Sequence, residues 1–416
     1  MDQASLNSGN GSALGHREAL FGTGARTVEF TARSSHPDER NGGPQETVGG
    51  HGPLATVVHV LAPLDRGGVA GVALDLCHAI PEDEIRQVFL TLGKREGQLA
   101  PRFRKAGARV QLCPHRPLTF FVPRLWRRLR AIRPDAVVSH VSFRSGIVLA
   151  VAKLTGVPIR IARLQSEGDW WPDNAFRRTQ RALLRSLLRR SATDVLGVTQ
   201  SALAQAGQAP SGDRRYRVMP NGVDVERFAH IRKPRPDDDP APHLVHIGRA
   251  AVEKNRPFLL RVHQEAARLD PRCTLTMVGP GGTTDLTETE RAATLAEPAI
   301  HLAGETDHPE QVLGDSDVML LPSRYEGLPS AVLEALAAGV PVLATSLPGL
   351  RELAARVDGL LLLPLEAGPR IWAETALRLA RTSAEERERI SETLRHSPFT
   401  LAHTVEQWRT LWTTQP

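Results

Sequence analysis

Cysteine, tyrosine and long apolar runs are scarce in this 416-residue chain. The three cysteines, Cys77, Cys113 and Cys273, are odd in number and far apart. That spacing excludes a disulfide framework and a cysteine metal motif, and it fits a reducing compartment such as the cytoplasm. No stretch approaches the roughly 20 apolar residues of a membrane span. No basic patch followed by an apolar stretch opens the chain, so no signal peptide is expected. No compact group of His, Asp and Glu suggests a metal, and none is expected. Aromatics make up only 5% of residues. The basic runs carry no series of interleaved aromatics, the stacking platforms of nucleic-acid binders, so a nucleic-acid partner is not expected.

Hydrophobic residues, at 41%, suffice for sizeable cores, and two domains are the default for this length. The composition suits α/β layers. A net charge of +6, carried largely by arginine, fits phosphorylated ligands or anionic surfaces.

Residues 1–53 are polar, without apolar periodicity, and read as a disordered extension. From residue 56 short β-rich runs recur: T-V-V-H-V-L-A (56–62), Q-V-F-L-T-L (87–92), R-V-Q-L-C (109–113), D-A-V-V-S-H (135–140), I-R-I-A-R-L (159–164) and D-V-L-G-V-T (194–199). Helical patterns lie between them, for example over 69–79 and 118–132. This alternation predicts βαβ units and a parallel sheet. A Pro-rich charged linker follows at 232–242. The rhythm restarts with H-L-V-H-I-G (243–248), T-L-T-M-V-G (274–279), D-V-M-L-L-P-S (317–323), P-V-L-A-T-S (341–346) and L-L-L-L-P (360–364). The expectation is two doubly wound, Rossmann-like domains, 54–215 and 216–396, facing a ligand cleft at the carboxyl ends of their strands. Over 397–416, Val405, Trp408, Leu411 and Trp412 form an apolar helical stripe that needs a partner surface.

The segment S-R-Y-E-G-L-P-S-A-V-L-E (323–334) carries the strongest chemical signal. A strand ends at Ser323, a loop follows, and Pro329 suits the first helical position. The N–H groups of Gly327 and Leu328 then mark a helix N-terminus, an anion site by geometry. Glu326 and Glu334 flank it. A carboxylate at 334, in an apolar helix start, is costly unless hydrogen-bonded, so a ligand hydroxyl suits it as partner. Elsewhere, H-I-G-R-A-A-V-E-K-N places Arg249 and Lys254 in a strand-to-helix loop, where two cations can clamp a diphosphate or simply face solvent. In L-D-R-G-G-V-A-G-V-A (64–73), Gly67 and Gly68 allow close approach of backbone to a ligand, or a tight turn. P-N-G-V-D (220–224) reads as a turn, and G-P-G-G, containing Gly281, as a loop that a base or ribose could approach. Asp315 and Asp317 read as a helix end and a strand start.

In order and spacing these segments resemble the retaining family 4 glycosyltransferases of the GT-B fold. The likeness spans residues 55–412 and is dense over 216–355. It implies a nucleotide-sugar donor, with UDP or GDP as nucleotide, bound mainly by the second domain. Arg249 and Lys254 would hold the diphosphate with backbone N–H groups near Gly327, Leu328 and Pro329. Glu334 would bind the ribose and Glu326 the donor sugar near its reacting face, while Gly67 and Gly68 would close from the first domain. The last helix would cross back onto the first domain. The family often has a histidine after the strand 159–164; here Gln165 stands there, able to hydrogen-bond a hydroxyl but not to carry charge. His140 resembles a histidine of the first-domain strand, facing the acceptor or satisfied within the fold.

The function expected is sugar transfer to a glycan or lipid-linked hydroxyl acceptor in surface polysaccharide or glycolipid synthesis. A phosphorylase, an epimerase or a catalytically silent sugar- or membrane-binding module on the same fold are the alternatives. The basic stretches 123–133 and 177–190 suggest peripheral contact with an anionic membrane, or an arginine-rich solvent face over a buried leucine stripe.

Overall fold

The computed structural model describes residues 54–166, 174–207, 212–229, 231 and 241–414. The expectations for 1–53 and for most of the linker 232–242 lie outside these residues. The first half runs β1 Ala55–Leu61, α1 Gly68–Ala79, β2 Ile85–Thr91, α2 Ala100–Lys105, β3 Arg109–Leu112, α3 Leu118–Ile132 and β4 Ala136–Ser139. It continues through α4 Ser145–Leu154, β5 Ile159–Leu164, α5 Ala175–Ser191, β6 Asp194–Gly197, α6 Gln200–Ala204 and β7 Tyr216–Val218. The second half runs α7 Val225–Phe228, β8 His243–Ile247, α8 Arg256–Leu269, β9 Thr274–Val278, α9 Glu288–Ala296, β10 Ile300–Gly304 and α10 Pro309–Gly314. Then come β11 Val318–Leu321, α11 Ser330–Ala337, β12 Val342–Thr345, α12 Pro348–Ala354, β13 Leu360–Leu363, α13 Gly368–Ala380, α14 Ala384–Arg395 and α15 Leu401–Thr413.

The strands form two parallel sheets, ordered β3-β2-β1-β4-β5-β6-β7 and β10-β9-β8-β11-β12-β13. Each reverses winding direction beside its first strand, at β1/β4 and at β8/β11. Their Val- and Leu-rich runs reflect cover on both faces. In β1, Val58 and Val60 pack with Phe121, Leu125 and Leu129 of α3 and with α4, whereas Val57 packs with Leu76 of α1 and Trp408 and Trp412 of α15. These are two Rossmann-like domains, as the alternating runs predict.

The expected boundary at 216 shifts. Tyr216–Val218 pairs with β6 and closes the first sheet. The chain then crosses between domains at Met219–Asp224. There Arg163, buried, donates to the Met219 carbonyl and to Asn221 Oδ1 at 2.7 Å. Gly222 lies against the returning chain: a Cβ there would stand 2.1 Å from the Thr400 carbonyl oxygen. Val223 N donates to Phe399 O and Leu401 N to Val223 O. The sequence read P-N-G-V-D as a turn; it is a buried double crossing, and the glycine is needed for backbone packing. Asp315 caps the end of α10 and Asp317 accepts from His243 N at 2.9 Å, so both belong to the fold.

Candidate active site

Both winding reversals open onto one cleft. After β8, the loop that carries Arg249 and Lys254 is stitched to the loop after β11. Arg324 N donates to Glu253 O at 2.8 Å, and Asn255, in a left-handed conformation, donates from Nδ2 to Pro322 O at 3.1 Å. The side chains add a third tie: Lys254 Nζ donates to Glu326 Oε1 at 2.6 Å, with the two side chains only 15% and 11% exposed. Arg249 instead turns its guanidinium to Glu253 and is 64% exposed. Each cation therefore has a carboxylate partner, and the sequence motif did not foresee either pairing.

Beneath Lys254 lies His246. Its Nδ1 donates to Leu320 O at 2.9 Å, which leaves Nε2 as a bare acceptor with no hydrogen-bond partner. Burial lowers its pKa to about 3, so it stays neutral. A Cβ on Gly248 would come within 3.1 Å of that nitrogen.

The helix after β11 begins one residue later than expected. Pro329 is the N-cap, in extended conformation, and Ser330 the first helical residue. Its N-terminus meets that of α1: a Cβ on Gly68 would sit 3.4 Å from Ser330 Oγ, while the same position on Gly67 has open space around it. Two helix dipoles thus direct their positive ends at one region, which favours anions. Gly327 packs on the first domain. Any side chain there would put Cβ 2.3 Å from Gln165 O.

Gln165 leads into a buried polar chain. Its amide Nε2 donates to His140 Nδ1 at 2.8 Å, and His140 Nε2 lies 3.2 Å from His59 Nδ1. His59 stacks on Phe89 and meets Trp412 edge-on. Burial lowers His59 to about 3 and holds His140 well below its ordinary range, with His59 and Arg163 adding to the latter. Both ring nitrogens of His140 are engaged within the fold, Nδ1 with Gln165 and Nε2 with His59.

Glu334 accepts a hydrogen bond from Ser330 and feels the charge of Asp75 on α1. Its pKa rises to about 7, through burial first and the Asp75 charge second, opposed by Arg227. Asp75 is raised as well, by burial. Arg227 Nη2 holds Glu310 Oε2 at 2.8 Å. Asp75 was missed, although it carries the same signal as Glu334: a lone carboxylate in an otherwise apolar helix, G-V-A-G-V-A-L-D-L-C-H-A. At the far side of the loop after β8, Gly281 has φ +100°, and a Cβ there would meet Ala250 Cβ at 2.8 Å. Beside it, Arg256 donates to Gly282 O at 2.7 Å and borders a small cavity with Met277, Val278 and Leu302.

A family model described as Glycosyl transferase 4-like domain matches residues 67–222, and one described as Glycosyl transferases group 1 matches 241–382. The chain belongs to this glycosyltransferase family. Among its relatives, EpsF of Bacillus subtilis, a glycosyltransferase by assignment, is 28% identical over 81% of this chain and 91% of its own length. The capsular polysaccharide biosynthesis glycosyltransferase CapH of Staphylococcus aureus is 23% identical over 68% of this chain and 79% of CapH. The crystal structure of Anabaena Alr3699/HepE with UDP and glucose superposes with a TM-score of 0.67 at 16% identity, covering 85% of this chain and 98% of HepE. That likeness establishes the GT-B arrangement of the glycosyltransferase. No helix among the described residues is long and apolar enough to cross a membrane.

Of the residues singled out in the sequence, Lys254 and Glu326 form one pair, and Gly68 meets the start of α11. Gly327 touches Gln165, and Gln165 touches His140. Arg249 lies on the exposed rim. Arg66 was not anticipated. Next to Gly67, it reaches from the first domain to Glu305 and Asp307 of the second, at 2.8 and 2.6 Å.

Proposed function

We propose that this glycosyltransferase moves a hexosyl or related sugar from UDP or GDP to a hydroxyl of a glycan or lipid-linked acceptor, with retention of anomeric configuration. Its setting is cell-surface polysaccharide or glycolipid synthesis in the cytoplasm, at the inner face of the membrane. The observation that carries the donor reading is the Lys254–Glu326 pair beside the converging N-termini of α1 and α11. A sugar diphosphate leaving group is already a weak base, so its departure needs charge stabilisation more than a general acid. Lys254, Arg249 and the two dipoles supply that charge from the chain itself. Lys254 exchanges Glu326 for phosphate when donor binds, which frees Glu326 to face the sugar. Leu328 and Pro329 hold the start of α11 in place, and Glu334 accepts from the ribose. Gly67 and Gly68 admit the diphosphate. The base lies near Gly281 and the cavity beside Arg256, and Gln165 offers the sugar a hydrogen bond.

CapH, named for capsular polysaccharide synthesis, and HepE, solved with UDP and UDP-glucose, support the substrate class. Calorimetry with a panel of UDP- and GDP-sugars, followed by NMR of the product anomer, tests the reading. One nucleotide series should bind, and binding should weaken in Lys254→Ala. Absence of binding throughout the panel would leave a silent module as the better description.

A further inference from the structure

We propose that His246 is a positioning residue for the diphosphate clamp: when donor binds and Lys254 leaves Glu326, the bare Nε2 of His246 accepts a hydrogen bond from the Lys254 ammonium. The proposal rests on the reading of Lys254 as a diphosphate ligand and deepens it, by naming what holds the lysine once its carboxylate partner is gone.

In the sequence His246 is the fourth residue of H-L-V-H-I, the run that forms β8, with nothing to set it apart. In the fold it is fully buried. A carbonyl can only accept, so the 2.9 Å contact with Leu320 O fixes the proton on Nδ1 and leaves the lone pair on Nε2. No hydrogen bond reaches that lone pair. A buried acceptor without a donor costs stability, and here the cost falls beside a lysine. Gly248 shows how close the two are. A Cβ there would stand 3.1 Å from His246 Nε2 and 3.3 Å from both Cδ and Cε of Lys254. The bare nitrogen and the end of the lysine stem converge on one glycine, which puts no side chain between them. His59 Nε2 and His263 Nδ1 are also buried and bare. No cation acts on either ring, whereas Lys254 and then Arg256 act on His246.

Chemistry gives the acceptor its use. An ammonium has three N–H donors. In the free chain Glu326 Oε1 takes one of them at 2.6 Å. The Lys254 side chain is only 15% exposed, so a donor released from Glu326 needs an acceptor within the site. Phosphate oxygens take the donors that face the cleft, and His246 Nε2 takes one that faces the sheet. The two protein partners differ in what they do to the charge. Glu326 neutralises the ammonium. A neutral imidazole fixes its position and leaves the positive charge available to the departing diphosphate. Burial keeps the ring neutral, with Lys254 and Arg256 adding to the effect, so it does not repel the lysine it holds.

The test uses the full chain with UDP and with GDP, and follows whichever binds. In protein carrying isotope-labelled histidine, the Nε2 resonance of His246, assigned through His246→Gln, should move upfield on saturation with the nucleotide, as a ring nitrogen does when its lone pair accepts a hydrogen bond. In calorimetry His246→Met should raise Kd roughly tenfold, the scale of one hydrogen bond to a charged group. His246→Gln keeps a donor for Leu320 O and a carbonyl for Lys254, and should restore most of the affinity. On the Lys254→Ala background His246→Met should cost nothing further, because a residue acting through Lys254 then has nothing to act on. The full cost on that background assigns His246 a purely structural role and overturns the proposal. So does an Nε2 resonance that stays in place, a result that can be obtained in the wild type even where His246→Met fails to fold. Binding of neither nucleotide, or Lys254→Ala without effect on Kd, instead overturns the diphosphate reading and this inference with it.

Discussion

The contact between Lys254 and Glu326 binds two roles into one pair of atoms. In the free chain it ties together the loops after β8 and β11; in the proposed reaction the two groups part, one to phosphate and one to sugar. Single replacements should therefore do two separable things. Lys254→Ala and Glu326→Ala should each lower turnover by about 10²–10³-fold, the scale of losing one group aimed at developing charge. Each should also lose roughly 1–3 kcal/mol of stability, because the remaining charge is left nearly buried and unpaired. The double variant should regain stability without regaining turnover. Thermal unfolding and steady-state kinetics read the two effects, and near-normal turnover in either single variant would count against the assignment. Glu334 gives a pH prediction. Its folded pKa of about 7 lies above the ordinary 4.5, so the folded chain holds a proton that the unfolded chain gives up. Stability from this group is present below pH 4.5 and falls as pH rises from there to about 7, by roughly 2–3 kcal/mol. Donor binding should run the other way, since a ribose hydroxyl donates to the ionised carboxylate; affinity should rise with pH through 7 and lose that dependence in Glu334→Gln. Glu334 stood out in the sequence because a charge among apolar residues needs a partner, and Glu326 because it sits in the loop before a helix N-terminus. His59 did not, because within V-V-H-V it reads as one more strand residue.

The elements were legible wherever a pattern repeats. Runs of period 2 and 3.6 gave strands and helices nearly at their observed limits, and α3 spans the same residues in sequence and structure. Legibility failed where the constraint is a distant backbone. β7 is three residues long, too short to show alternation, and its place is decided by pairing with β6. The N-G turn before α7 gives no hint that Thr400 passes against Gly222. The return crossing and α15 are tied into one unit. Trp412 is 1% exposed, stacks on Trp408 and edges His59, while Arg409 grips Glu84 at 2.8 Å through Nη2. Trp412→Ala should cost roughly 3–5 kcal/mol, the range for an aromatic removed from a packed core. It should also loosen the His59–His140–Gln165 chain at its buried end. Denaturant unfolding measures the first. For the second, donor affinity should fall even at temperatures where the variant is fully folded, and an unchanged affinity would separate α15 from the site.

At the scale of the whole molecule the two domains are clasped on opposite sides of the cleft. On one side Glu352 of α12 accepts from the backbone of Gln200 and Ser201, capping α6 of the first domain at 2.7 and 3.1 Å. On the other, Asp307 takes Arg66 at 2.6 Å and Arg102 at 2.5 Å. None of this could be read from sequence, because each partner lies on a different domain and every residue in it also reads as plain surface charge. The Asp307 carboxylate is 47% exposed, so each ion pair is worth at most about 1 kcal/mol and is screened by salt. Its leverage comes from position. Arg66 adjoins Gly67, so holding Arg66 to the second domain also holds the start of α1 against Ser330, where the donor diphosphate is proposed to bind. Asp307→Ala takes this carboxylate from both arginines, leaving Arg66 held only by Glu305 and the Thr306 carbonyl, and should favour an open cleft. Small-angle scattering should show a larger radius of gyration, and KM for the donor should rise up to roughly tenfold, the equivalent of about 1.4 kcal/mol. Turnover at saturating donor should change little, because bound donor draws the domains together again. High salt should produce the same rise in the wild type and add little in the variant. If Asp307→Ala leaves both KM and its salt dependence unchanged, closure is set by the remaining contacts, among them Arg66–Glu305, Glu352 with α6, Gly68–Ser330 and Gly327–Gln165.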